Sequence, residues 1–147
     1  MSIIAYDGKT IAADRQATLN ETRITCHKLV QLTDGTVVGW TGNQDQGLVL
    51  LQWYKDGADK ATFPKFMSAS DNHTRLIIAK DGVVSTYETE AIPLTFLDSF
   101  GAYGSGRDIA LGALAMGATA VQAVEIANQF DINCGMGIDW FSMNPAK

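Results

Sequence analysis

Apolar and polar positions alternate in three places along the chain, and the same dipeptide splits each alternation. IIAYDGKTIAA, LVQLTDGTVVGW and LIIAKDGVVSTY all set Asp-Gly between two β-rich runs. A type I′ turn needs positive φ at both central residues, which Asp-Gly tolerates. The pattern therefore predicts antiparallel hairpins turning at Asp7-Gly8, Asp34-Gly35 and Asp81-Gly82. Elsewhere the period becomes helical. Leu48, Leu51 and Tyr54 form the apolar stripe of a helix from Gln44 to about Asp56, with Asn43 as N-cap, Gln46 at the capping-box position and Gly57 as the stop. A second helix runs from Arg107 to Met116 and breaks at Gly117; a third, capped by Thr119 with Gln122 at the capping-box position, extends to about Phe130. A short last strand falls within Met136 to Met143.

Antiparallel hairpins with segregated helices give an α+β class, not a doubly wound parallel sheet. Two antiparallel sheets stacked face to face with helices outside, a four-layer αββα sandwich, bury every apolar face in this pattern. The chain of 147 residues shows no linker, low-complexity tract or true repeat, so residues 1–147 are expected to form a single domain.

Charge removes one class of partner. The formal net charge is −5, and Lys and Arg are scattered without a basic run or basic helix face, which argues against nucleic-acid binding. The stretch from Ile109 to Ala127 is mostly Ala and Gly and carries Thr119, Gln122 and Glu125, too weakly apolar for a membrane span. No basic n-region or cleavage site precedes the first strand. Cys26 and Cys134 lie far apart without a CxxC or metal-ligand pattern. A reduced, cytoplasmic protein is expected, and no metal or cofactor is required.

Familiar hydrolase signatures do not occur: there is no GxSxG and no HExxH. Of the two histidines, His27 has no partner nearby in sequence and His73 falls in the polar run SASDNHT, expected to be a solvated loop. The glycine-rich GAYGSG opens a helix, as a phosphate-binding loop does, but lacks the Lys-Ser/Thr of a P-loop and a βαβ setting. What remains is a chemistry that needs no histidine. A serine at a chain terminus carries its own base, the α-amine, whose ordinary pKa of about 7.7–8.0 suits proton transfer near neutrality. Ser2 becomes terminal once Met1 is removed, which its small side chain permits. A neighbouring lysine would lower the pKa of that amine by like-charge repulsion, and a carboxylate would hold the lysine in place.

The ordered motifs SIIAYDGKTIAAD, DRQAT, HKLVQL, VVGWTGN, YGSGRD and QFDINCG resemble those of the proteasome β-subunit family of N-terminal nucleophile (Ntn) hydrolases, which includes the bacterial HslV peptidase. The likeness is greatest to compact bacterial and phage homologues. It runs from Ser2 to about Met136 and is weakest between Gly57 and Leu94. It implies that Ser2 is the nucleophile, Asp14 the aspartate ending IAAD, and Lys28 the catalytic lysine. It implies further that Gly42 donates its N–H to the oxyanion, that Ser105 and Asp131 are further catalytic positions, and that Cys134 stands where the family has a serine whose hydroxyl helps the amine. Thr18 would hold peptide substrate as an added strand. Trp40, on the same strand face as Gly42, would floor the pocket and restrict it to small side chains. Cys26 shares a face with Lys28.

The resemblance thus implies a serine/threonine-type endopeptidase acting on peptides or unfolded proteins inside a homo-oligomeric ring. That ring would hold six or seven subunits, stacked in pairs, with an ATPase unfoldase as a candidate partner. Three features depart from the family: Ser2 in place of threonine, Cys134 in place of serine, and a short chain. They leave two alternatives open, a ring-forming scaffold without activity and a small-molecule amidase.

Overall fold

The computed structural model describes residues 2–66 and 74–143; Met1 and His73 lie outside the described residues. Along the chain run β1 (Ile4–Tyr6), β2 (Thr10–Asp14), β3 (Gln16–Leu19), β4 (Thr22–Thr25), β5 (Leu29–Gln31), β6 (Val37–Thr41) and α1 (Gln44–Lys55). There follow a 3₁₀ turn (Lys60–Thr62), β7 (Arg75–Lys80), β8 (Val83–Tyr87), β9 (Leu94–Phe96), β10 (Gly101–Tyr103), α2 (Arg107–Ala115), α3 (Ala120–Phe130) and β11 (Ile138–Ser142). One antiparallel sheet has the order β10-β1-β2-β11 and a second the order β5-β6-β7-β8-β9, while β3 and β4 form a separate hairpin.

Alternation along the strands builds the layers. Ile4, Tyr6, Ile11 and Ala13 of the first sheet face Leu29, Val37, Ile77 and Val84 of the second and make the central core. Their neighbours Ile3, Ala5 and Ala12 point the other way, onto Ala110, Leu114, Ala120, Ala123, Val124 and Ala127 of α2 and α3. The alanines that weaken this segment as a membrane span let the helices lie close on the sheet; among the described residues no helix is long and apolar enough to cross a membrane. On the outer face of the second sheet, Val38, Leu76 and Ile78 pack against Leu50 and Trp53 of α1. The result is the αββα sandwich.

All three Asp-Gly hairpins form, but only Asp81-Gly82 makes the two-residue turn with positive φ at both positions, 52° and 77°. At the other two sites only the glycine is positive, and the aspartate instead accepts backbone N–H groups: Asp7 from Lys9 and Thr10, Asp34 from Thr36. A longer loop satisfies the same strands because the side chain supplies the missing bond. The β3–β4 turn has positive φ at Asn20 and Glu21, a hairpin without the glycine that would have marked it.

Helix α1 corrects two expectations. Its buried face is Gly47, Leu50 and Trp53, one residue round from the expected stripe, and Leu48 is exposed. Gln46 makes no capping box; its Oε1 accepts from Thr74 Oγ, and the Asn43 N–H also goes to Thr74. Thr119 and Gln122 do form the expected reciprocal box on α3.

Candidate active site

Ser2 leads into the edge where the two sheets, the β3–β4 hairpin and the start of α2 meet, and it is buried. The GAYGSG loop wraps its backbone. Ser105 Oγ accepts the Ser2 N–H at 3.2 Å and donates to the Ser2 carbonyl at 3.4 Å, while the Gly106 N–H donates to the same carbonyl at 3.2 Å. Gly104 has φ +105°, and a Cβ there would stand 2.2 Å from the Ser2 carbonyl oxygen, so this close approach requires glycine. Ser105 is not a helix cap: the N-cap of α2 is Gly106. The GAYGSG loop, which lacks the features of a phosphate loop, holds the Ser2 backbone.

Asp14 ends β2 and is fully buried. Its Oδ1 accepts from Lys28 Nζ at 2.7 Å and from the Ile3 N–H at 3.1 Å; its Oδ2 accepts from the Gly135 N–H at 3.1 Å and the Gln16 N–H at 3.3 Å. Burying an ion pair costs more solvation than its attraction returns unless further hydrogen bonds satisfy it. Here three backbone donors surround the carboxylate. Lys28 stands just ahead of β5, so the pair bridges the two sheets.

Lys28, Ser2, Trp40 and Gly42 line one cavity of about 410 Å³, with Thr18 on one wall and the start of α1 on the other. Trp40 lies against α1 on the face it shares with Gly42, and its Nε1–H donates to Gln44 Oε1 at 3.0 Å. Gly47 makes that fit possible: a Cβ there would lie 2.1 Å from the indole. Gln44 also bonds the His27 carbonyl and accepts from Cys26 Sγ at 3.6 Å, which places Cys26 at the edge of the same constellation. Burial pushes the Cys26 thiol above its ordinary range.

Cys134 is buried 3.8 Å from Ser105 Oγ. Burial, reinforced by the Asp14 charge, pushes its thiol up to about 12, so it stays protonated at neutral pH. Asp131 closes α3, and its carboxylate accepts the Asn133 N–H at 2.8 Å within its own turn. Of the expected residues, Ser2, Thr18, Lys28, Trp40 and Gly42 share the cavity; Asp14, Ser105 and Cys134 stand directly behind it; Asp131 sits one turn back.

Further participants were not expected from the sequence. Gly104 and the N–H of Gly135 act through backbone geometry, which no side chain advertises. Gln16 donates Nε2 to the Ile132 carbonyl at 3.0 Å, tying the cavity wall to the Cys134 loop. Asp139, on β11, pairs with both Arg15 and His27. Among the described residues no group of acidic, histidine or cysteine side chains is arranged to hold a metal ion.

No family model matches the chain, and no curated protein sequence is similar to it. Solved structures are. BPH of Thiobacillus denitrificans, a bacterial proteasome homologue, superposes with a TM-score of 0.73 at 19% identity over 99% of both chains. Its complex with epoxomicin gives 0.72 at 20% over the whole of both chains. Eukaryotic HslV from Trypanosoma brucei gives 0.69 at 20% over 96% of this chain and 97% of that one. Two stacked sheets and three flanking helices among the described residues, with Ser2 two residues ahead of the first strand, thus give this chain the fold of the proteasome-like Ntn hydrolases.

Proposed function

We propose that the protein is an Ntn peptidase with Ser2 as nucleophile, and that Met1 is removed to free its α-amine. The observation that carries this reading is the buried Asp14–Lys28 pair opening on the cavity that Ser2 lines. A desolvated ammonium beside a serine is costly for stability and useful for chemistry.

The Ser2 amine takes the proton of Ser2 Oγ, directly or through a water, as Oγ bonds to the amide carbon. The oxyanion that forms accepts the Gly42 N–H. The C–N bond then breaks, the leaving amine takes the proton from the α-ammonium, and water hydrolyses the resulting ester by the same base. Lys28 stabilises the negative charge that develops on Oγ and, with Asp14, is held in place for it. Ser105 positions the Ser2 nitrogen. Peptide would lie along β3 at Thr18, and Trp40 favours small side chains next to the scissile bond. The reading extends to residues 1–147 as one such domain, in a cytoplasmic protein that assembles into rings and receives unfolded substrate, with an ATPase unfoldase as candidate partner.

The test combines intact mass with turnover of a peptide amide. The expected result is a mass that starts at Ser2, cleavage by the natural sequence and none by Ser2→Ala. Cleavage that survives Ser2→Ala overturns the mechanism. A second reading, an inactive scaffold of the same fold, is favoured by the Asp131 carboxylate being engaged in its own turn. Assembled rings that fail to react with an electrophile selective for N-terminal nucleophiles would establish it.

A further inference from the structure

Asp14 ends a strand of one sheet and Lys28 immediately precedes a strand of the other, and no strand ladder pairs the two residues. The residues that flank them do meet. Arg15, next to Asp14, donates Nε and Nη2 to Asp139 Oδ1 at 2.9 and 2.6 Å. His27, next to Lys28, bonds Asp139 Oδ2 through Nδ1 at 2.7 Å. One carboxylate therefore gives one oxygen to each segment. The same segments are joined by the backbone, where the Cys26 N–H donates to the Arg15 carbonyl at 2.7 Å. The Arg15 N–H donates to the Gly135 carbonyl at 3.0 Å, in the loop whose next bond reaches Asp14.

We propose that Asp139 is a positioning residue, which clamps the Arg15 and His27 segments together and so sets the approach of Lys28 to Asp14 and Ser2. Its two partners are cationic or can become so, and charge-assisted bonds of this kind fix geometry more firmly than neutral ones. The Asp139 side chain is 12% exposed, whereas that of His27 is 70% exposed, so the histidine contributes little to the core and its bond to Asp139 serves alignment. Burial alone would raise the Asp139 carboxyl; the bonds from Arg15 and His27 outweigh it and hold the group below its ordinary 3.8, ionised at working pH.

The proposal rests on the peptidase reading, and its test separates the two. Asp139→Asn, His27→Ala and the double variant are compared with the natural sequence in kcat, in KM and in the exchange of Lys28 Nζ protons with water, read by NMR. Asp139→Asn is expected to lower kcat about tenfold, as small misplacements of reacting groups do, with KM little changed and Lys28 exchange faster. His27→Ala should move the same quantities less far, and the double variant should be no worse than Asp139→Asn, because both break one link. An unchanged kcat, a fall in kcat no larger than the fall in folded fraction, or additive effects overturn the clamp. If the natural sequence has no turnover, the peptidase reading fails and Lys28 exchange alone decides: faster in the variants supports the clamp, unchanged removes it. If Asp139→Asn does not fold, the exposed His27→Ala decides by the same criteria.

Discussion

Lys28 Nζ and Asp14 Oδ1 stand 2.7 Å apart with side chains 4% and 0% exposed, Asp14 at the end of β2 and Lys28 just ahead of β5. The two ends of this pair are unequally supported. Removing Lys28 leaves the Asp14 carboxylate with three backbone N–H donors, whereas removing Asp14 leaves a buried ammonium without its counter-charge. Asp14→Ala is expected to cost about 3–5 kcal/mol and Lys28→Met less, although both abolish turnover. Urea denaturation of the two variants checks the order, and equal losses would show that the backbone donors do not sustain the carboxylate.

Two glycines of one region should respond in opposite directions to alanine. Gly104→Ala forces a side chain into φ +105° and against the Ser2 carbonyl, and should destabilise by about 1–3 kcal/mol and depress turnover. Gly112, inside α2 with open space around its Cα, should gain about 0.5–1 kcal/mol from the same change and leave kcat alone. Thermal melts and initial rates on both variants test the contrast.

Alkaline pH should weaken the fold through Cys134. Its thiol loses a proton near 9.0 in the unfolded chain and near 12 in the folded one, so between those values the folded form retains a proton that the unfolded form has released. Stability is therefore full below about pH 9 and falls as pH rises towards about 12. Tyr6 and Tyr103, also raised by burial, act in the same direction. Urea midpoints at about pH 8 and about pH 10.5 should drop for the natural sequence and drop less for Cys134→Ala; parallel drops would assign the effect to the tyrosines.

Trp40 gives a prediction about selectivity. Trp40→Leu removes the indole and its bond to Gln44, enlarging the cavity beside Ser2. The ratio of kcat/KM for a leucine over an alanine substrate at the scissile position should rise about tenfold, the scale of a few methylenes in a pocket. An unchanged ratio would place Trp40 in the core only.

Much of this arrangement was legible in the residues because the signals are local. Asp-Gly between alternating runs marked three of the hairpins, and Thr119 with Gln122 marked the start of α3 to the residue. What escaped was non-local or carried by the backbone. The apolar stripe of α1 was misplaced because Gly47, which has no side chain to count as apolar, is the position that admits Trp40. The I′ geometry failed at Asp7 because its carboxylate also reaches the Ala120 N–H at the head of α3, a partner that lies 113 residues away. Asp139 could not be read as a partner of Arg15 and His27 because only the register of β11 against β2, with Asp139 opposite Ala13, brings it there.

The grip of Ser105 on Ser2 spans 103 positions of the chain. During synthesis the serine emerges long before the residues that hold it. The α2 segment, the Cys134 loop and β11 must all leave the ribosome before the Ser2 nitrogen, the Asp14 carboxylate and the Arg15–His27 clamp have their partners. Long-range closure of this kind is slow and comes late in folding. A nascent chain therefore carries Ser2 before the partners of its nitrogen exist, and the proposed centre is complete only when the whole sandwich has closed.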